Sequence, residues 1–513
     1  MLRKIDLMKS TSTAYWHQIQ SAIIATFIAS AIFVEAGDLP LVPYPQKVEL
    51  KEGTFTPSIA LNVVYAPEGG IKEIADVLLS DLNESGFKTT PEGAQPDPSS
   101  QKIELILRKE PNFGEEGYEL RIDKNVSITA SSPDGLFWGT RTLLQLLHAG
   151  PGKSISHCKI SDRPEFAYRG LLIDNARNFH SIDFHLQMVK RLASFKINRY
   201  QIHFSDHESY TLPSELFPKL PTEGRHYTKA DIARLVEVAK RYHVAIVPEI
   251  DVPGHAVALL KGIEGLGCDV GTGKICIGQE SSYQSLEKLF SEVMEMIPGD
   301  YWHLGADEVS YSGTRCKGCL ARMESEHFKD EDQLFHYFIN RMSRFLKSRD
   351  RQVLVWEGFS PTAEPLVDRD ILVCPFDVKK VGKMPVDYLK AGYTLLNTSW
   401  SPLYVADKTS MTTPEDLARW SPYMFGAGRS PHPFQYWKKF NPIDYPQKII
   451  GAQVCSWDIE EKAQEGLLFG TGSGFPDYGR PAPRVPIVAE RTWTGSATSA
   501  QDLMERVGSS YWE

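Results

Sequence analysis

Tyr301-Trp302-His303-Leu304-Gly305-Ala306-Asp307-Glu308-Val309 is an apolar run that ends in Gly-Ala and then delivers two adjacent carboxylates. It reads as a buried strand whose C-terminal tip holds an Asp and a Glu at a cleft. Adjacent acids alone mean little: Glu115-Glu116, Glu415-Asp416 and Glu460-Glu461 read as solvated surface. The setting separates this pair from those. Seven further strand candidates flank it, at Gly170–Ile173, Asn198–His203, Val244–Ile250, Val353–Trp356, Ile371–Phe376, Thr394–Thr398 and Ile449–Trp457. Helical periodicity separates several of them, as in Phe184–Phe195, Lys229–Tyr242, Tyr283–Met296 and Gln333–Lys347. Eight strand–helix units fit a (β/α)8 TIM barrel better than an open doubly wound sheet.

Upstream, residues 37–163 show a different pattern. Short alternating runs (Ile59–Tyr65, Lys102–Leu107, Tyr118–Ile122, Val126–Ala130) mix with two amphipathic segments, Ile71–Leu82 and Gly135–His148. This predicts a small α+β domain, with the barrel domain over 164–513. Residues 1–36 read as a signal peptide. Arg3, Lys4 and Lys9 precede an apolar stretch from Ser21 to Val34, and Val34-Glu35-Ala36 is a small-residue cleavage site. The stretch is short for a membrane span, which needs about 20 residues. Export to a periplasmic, secreted or lumenal space follows, with no membrane insertion once the leader is removed. The net charge of -9 argues against a nucleic-acid partner.

All seven cysteines follow the leader. Cys268 and Cys276 bracket a Gly-rich loop, and Cys316-Lys-Gly-Cys319 is a Cys-x-x-Cys pair, so a local disulfide is expected for each. Zinc at Cys316 and Cys319 lacks a second pair at finger spacing. Cys374 and Cys455 read as buried thiols.

In a barrel of this type the C-terminal strand ends face the active site. Those ends carry Asp174, Arg177, His203, Asp206, Glu249, Asp251, His255, Asp307, Glu308, Trp356, Glu357, Phe376, Trp400, Tyr404 and Trp457. Carboxylates bond to hydroxyls and aromatic faces stack on sugar rings, so the set suggests a carbohydrate site. His203, Glu249, Asp251 and His255 match no zinc motif and read as a hydrogen-bonded network around the acidic pair. Neither a catalytic metal nor a cofactor is expected.

At this point the chain resembles the family 20 glycoside hydrolases, the exo-β-N-acetylhexosaminidases. The motifs are His303-Leu-Gly-Ala-Asp307-Glu308, Ile246-Val-Pro-Glu249-Ile-Asp251-Val-Pro-Gly-His255 and Arg169-Gly-Leu-Leu-Ile-Asp174-x-x-Arg177. To these are added Lys196-Ile-Asn198 through His203-Phe-Ser-Asp206, and Ala489-Glu-Arg-Thr-Trp493. Pro43-Tyr-Pro45-Gln and Ala130-Ser-Ser-Pro-Asp-Gly135-Leu-Phe-Trp-Gly extend the likeness into the first domain.

The resemblance implies removal of terminal non-reducing N-acetylhexosamine (GlcNAc or GalNAc) from N-acetylated amino-sugar glycans. Alternatives are a relative acting on a modified amino sugar or releasing a disaccharide, or a non-catalytic sugar-binding module. Retaining glycosidases commonly flank the sugar with two carboxylates about 5–5.5 Å apart, whereas family 20 uses the substrate's own acetamido group. The resemblance makes Glu308 the general acid and then base, and gives Asp307 the acetamido N–H. A charged Asp307 would raise the pKa of Glu308. Arg169 is matched to ring hydroxyls O3 and O4, Tyr404 to the acetamido carbonyl, and Trp356 and Trp457 to the walls of its pocket. Asp206, Asp251 and His255 belong to the site's polar network. Asp407 and Glu460 are matched to O4 and O6, each one residue further from its aromatic than in the family, with Asp458 as the alternative to Glu460.

Overall fold

The structure, a computed structural model, describes residues 39–66, 69–89, 100–109, 113–271, 273–378, 382–406, 417, 419–426, 438–441, 443–470, 483–495 and 499–508. The expected leader, 1–36, lies outside the described residues. No helix among the described residues is long and apolar enough to cross a membrane.

The first layer contains β1 (Lys47–Phe55), β2 (Ala60–Tyr65), α1 (Ile71–Glu84), β3 (Lys88–Thr89), β4 (Gln101–Leu107), β5 (Tyr118–Ile122), β6 (Val126–Ala130), α2 (Pro133–Leu147) and β7 (Ile155–Asp162). Its strands form a mixed sheet in the order β1-β7-β5-β6-β4-β2-β3. The alternating runs marked β2, β4, β5 and β6. Strands β1 and β7 escaped because β1 is an edge strand with mostly exposed Lys and Glu positions, and β7 hides its apolar residues among polar ones. Helix α2 starts where the Ser132 side chain accepts the Gly135 amide, with Pro133 in its first turn. It is buried on nearly every side because it packs against both the sheet and the barrel.

The barrel runs β8 (Tyr168–Asp174), β9 (Arg199–Ser205), β10 (Ala245–Val252), β11 (Tyr301–Gly305), β12 (Gln352–Trp356), β13 (Leu372–Cys374), β14 (Thr394–Asn397), then β18 (Ile449–Trp457) after three short strands: β15 (Tyr404–Ala406), β16 (Met424–Phe425) and β17 (Lys438–Lys439). Each neighbouring pair is parallel, β14 pairs with β18, and β18 pairs back to β8, so the ring closes. All eight ring strands coincide with the expected ones. Strand β15 lies alongside β18 at the mouth. The interior is filled by side chains including Tyr168, Leu172, Val247, Leu354, Cys374 and Cys455.

The two layers meet at a polar joint. Arg169, at the N-terminal end of β8, donates to both carboxylate oxygens of Glu116 (2.9 and 2.7 Å). Its guanidinium lies 5.8 Å from the Trp138 ring and 5.0 Å from the Trp493 ring. Trp493 Nε1 (2.8 Å), Lys196 Nζ (3.0 Å) and Tyr118 Oη (2.6 Å) converge on Asp162. Glu116 is therefore a structural partner and not a solvated surface acid. The closing Ala-Glu-Arg-Thr-Trp motif serves this joint and not the mouth.

Candidate active site

Strand β11 ends at Gly305, and the chain then turns through positive φ at Gly305 (77°), Ala306 (72°) and Glu308 (45°). Left-handed non-glycine residues cost of order 1–2 kcal/mol each and persist only where their surroundings hold them. Here Asp251 Oδ1 accepts the Ala306 amide at 3.2 Å. The turn aims Asp307 inward, with a side chain 16% exposed, and Glu308 outward, 59% exposed. Adjacent carboxylates so gain different environments.

Behind them runs a charge network. His203 lies between Glu249 (Nδ1 to Oε2, 3.0 Å) and Asp206 (Nε2 to Oδ2, 2.9 Å). Asp206 also receives Arg177 (2.6 Å) and His255 Nδ1 (3.1 Å). His255 Nε2 then points to the acidic pair, 3.8 Å from Asp307 Oδ2 and 3.6 Å from Glu308 Oε2. Burial opposes a charge on His255, but Asp206, Glu308, Asp251 and Asp307 outweigh it and hold its pKa up at about 12. His203 is raised likewise, against burial, by Glu249 and Asp206. Both imidazoles are cations whose ring nitrogens all carry protons. With the carboxylates around them they form an ion-pair network across the mouth.

Burial, then the neighbouring Asp307 charge, push the Asp251 carboxyl well above the usual range. Burial raises Asp307 too, with His255 and a hydrogen bond from Asp251 pulling the other way. Of the two buried carboxyls Asp251 is the more strongly raised, so it takes a shared proton first and donates to Asp307. Asp307 Oδ1 is buried and has no hydrogen-bond partner among the described residues.

The same mouth holds an aromatic box, whose Tyr404 hydroxyl feels the Asp307 charge. Trp356 lies 5.9 Å from Trp457 and 6.0 Å from Phe376, and Tyr404 lies 6.1 Å from Trp457 and 4.8 Å from Trp400. Trp356 is fixed by donating Nε1 to Glu249 Oε1 at 2.7 Å. Arg177 lies 5.5 Å from the Trp457 ring. Burial keeps the Tyr404 hydroxyl protonated, as a donor, by raising it well above its ordinary value.

The model of the glycosyl hydrolase family 20 catalytic domain matches residues 166–496, and that of the family's domain 2 matches 38–163. The chain belongs to glycosyl hydrolase family 20. Among curated proteins it is similar to the beta-hexosaminidase of Porphyromonas gingivalis, 26% identical over 88% of this chain and 60% of that protein. It is also similar to the chitooligosaccharidolytic beta-N-acetylglucosaminidase of Bombyx mori, 25% identical over 90% of this chain and 83% of that one. The chain thus spans only part of the Porphyromonas gingivalis protein's length. Among solved structures, Flavobacterium johnsoniae chitobiase shares the fold at TM-score 0.73 and 23% identity, covering 92% of this chain and 72% of its own. The beta-N-acetylhexosaminidase of Bacteroides fragilis does so at TM-score 0.73 and 20% identity, over 92% and 94%.

The structure of this family 20 chain gathers Asp206, Asp251, His255, Asp307, Glu308, Trp356, Tyr404 and Trp457 at one mouth. Two expected residues stand elsewhere. Arg169 is fully buried at the opposite end of β8, on Glu116, and cannot meet a sugar at the mouth. The mouth guanidinium is Arg177, which also pairs with Asp174 at 2.9 Å. Strand length could have revealed this: five residues separate Arg169 from Asp174, about 16 Å of extended chain. Glu460 is exposed and pairs with Lys462 at 2.9 Å. Asp458, the alternative, sits at the β18 tip, donating its amide to Asp174 and accepting Asn178 at 2.6 Å. Asp407 lies outside the described residues. Phe376 and Trp400, expected from sequence among the aromatics of the strand ends, complete the aromatic box.

Proposed function

We propose that this chain hydrolyses terminal β-linked N-acetylhexosamine by substrate-assisted retaining catalysis. The observation that carries the reading is the buried Oδ1 of Asp307, which has no hydrogen-bond partner among the described residues, at a mouth that also holds an aromatic box. An acetamido N–H satisfies that acceptor, and its methyl group suits Trp356, Trp457 and Tyr404. Tyr404 Oη donates to the acetamido carbonyl. The acetamido oxygen then attacks the anomeric carbon and closes an oxazoline as Glu308 protonates the leaving oxygen. Glu308 next deprotonates the water that reopens the ring. Asp307 balances the positive charge that develops on the acetamido nitrogen. The mouth's other carboxylates are engaged: Asp174 with Arg177, Asp206 with both imidazolium ions, and Glu249 with His203 and Trp356.

Hydrolysis of an aryl β-GlcNAc and the matching aryl β-glucoside, by wild type and Glu308→Gln, tests this. Cleavage of only the acetamido sugar, reduced about 10²–10⁴-fold in the variant, is expected. Equal cleavage of both sugars would refute acetamido participation. Export is also proposed, supported by the basic N-terminus and the apolar stretch from Ser21 to Val34. N-terminal sequencing of the exported protein tests it, with a start near Gly37 expected.

A further inference from the structure

The structure shows neither of the local disulfides expected at Cys268–Cys276 and within Cys316–Cys319; its seven cysteines are unbridged. The four sulfurs converge instead. Cys276 Sγ lies 3.5 Å from Cys316 Sγ and 3.9 Å from Cys319 Sγ, and Cys268 Sγ lies 4.0 Å from Cys319 Sγ. All four fall within 4.8 Å of one another. We propose that Cys268, Cys276, Cys316 and Cys319 bind one zinc ion as a closed tetrathiolate site, tying the loop after β10 to the loop that carries Glu308.

The geometry favours a metal over two crossed disulfides. Zinc–sulfur bonds of about 2.3 Å place the corners of a tetrahedron about 3.8 Å apart. The three separations fall on either side of that edge, whereas a disulfide would draw one pair to about 2.05 Å and leave the others apart. The backbone is shaped for the cluster. The Cys268 amide donates to the Lys274 carbonyl and the Cys276 amide to the Leu266 carbonyl, folding the first pair into a short hairpin. The second pair sits on helix α3 (Lys317–Ser325): Cys316 stands at its N-cap position and Cys319 lies in its first turn, where the positive end of the helix favours thiolates. Glycines let the two segments meet. A Cβ on Gly318 would lie 3.0 Å from Cys276 Sγ, and one on Gly278 would lie 2.2 Å from the Gly318 carbonyl oxygen.

Around the cluster the two loops are stitched together. Tyr311 donates to the Ile275 carbonyl (2.6 Å), the Ile275 amide to the Pro253 carbonyl (3.2 Å), and Lys274 Nζ to the Ser310 carbonyl. The site therefore clamps the segment that begins at the acidic pair. Binding releases four thiol protons and is redox-neutral, and all four zinc positions are filled by protein, which gives the ion a structural role.

The chain's export would favour disulfides, so the thiol count is decisive. Full-length protein is purified without chelator or reductant, assayed for metal by mass spectrometry, and titrated for thiols in denaturant with EDTA. About one zinc per chain with all seven cysteines titrating is expected, and the zinc absorption edge should report sulfur at about 2.3 Å. Titration of only Cys158, Cys374 and Cys455 without zinc would overturn the proposal in favour of disulfides. Metal-free protein with every thiol titrating would overturn it too, and iron in the same stoichiometry would overturn the choice of zinc. Cys319→Ser should lose the zinc, and retention of zinc by that variant counts against the site.

Discussion

The carboxyl of Asp251 fills the space where a side chain on Gly305 would begin: a Cβ there would sit 1.9 Å from Oδ1 and 2.7 Å from the Asp251 Cα. With φ at 77°, Gly305 is thus required twice, by its backbone angle and by its neighbour. Gly305→Ala must displace Asp251, which holds the Ala306 amide and the proton shared with Asp307. A stability loss of about 2–4 kcal/mol is expected, from strain plus a broken buried hydrogen bond. The folded fraction should lose at least about 10²-fold in kcat. Chemical denaturation beside initial rates separates the two effects.

Asp307 carries a cost that a neutral residue would not. Its folded pKa is raised by burial, so ionisation destabilises the native state. The penalty is absent below the unfolded carboxyl pKa of about 3.9 and grows as pH rises toward the folded value. Asp307→Asn should therefore match or exceed wild type in thermal stability at neutral pH, lose that advantage near pH 3.9, and be about 10²-fold or more slower. A variant that is both slow and less stable at neutral pH would contradict this account.

His255 titrates with the opposite sign. Burial opposes its charge, yet its pKa rises from 6.5 to about 12 because the carboxyl groups of Asp206, Glu308, Asp251 and Asp307 lie around it. The stabilisation is complete below the unfolded pKa and is lost as pH climbs through the window from 6.5 to about 12. Breaking a buried pair costs about 3–5 kcal/mol, less than the full shift implies, because neighbours and water relax. His255→Gln should be less stable than wild type by about that amount near pH 6, with the gap narrowing near pH 10. Urea denaturation of both proteins at the two pH values measures it. A gap that widens with pH would show that His255 is neutral.

The barrel was legible because its strands are short apolar runs with polar tips, and all eight were found. The first layer was read in part, since β1 and β7 show no clean alternation. The mouth was legible where chemistry and strand end coincide, as at Asp307, Glu308 and His255. It was misread where two arginines stand at opposite ends of β8 and its following turn, and where long-range contacts decide. Nothing local to Cys268–Cys276 announces Cys316 and Cys319, because the helix Glu280–Met296 and strand β11 intervene before the pairs meet. Glu116 likewise looks like surface until Arg169 is placed on it.

The two arginines of β8 and its following turn offer the sharpest test of that correction. Arg169 is buried on Glu116 at the layer joint, whereas Arg177 stands at the mouth between Asp174 and Asp206 with its side chain 25% exposed. Arg169→Met leaves Glu116 uncompensated and should cost about 3–5 kcal/mol of stability. Assayed well below its melting point, it should keep KM and kcat within about twofold, because no substrate atom reaches it. Arg177→Lys keeps the charge but loses the forked donor set. A hydrogen bond to a charged donor is worth about 1.5–3 kcal/mol, so kcat/KM should fall about 10–100-fold. If Arg169→Met instead raised KM while Arg177→Lys left it unchanged, the guanidinium at the mouth would have been assigned to the wrong end of the strand.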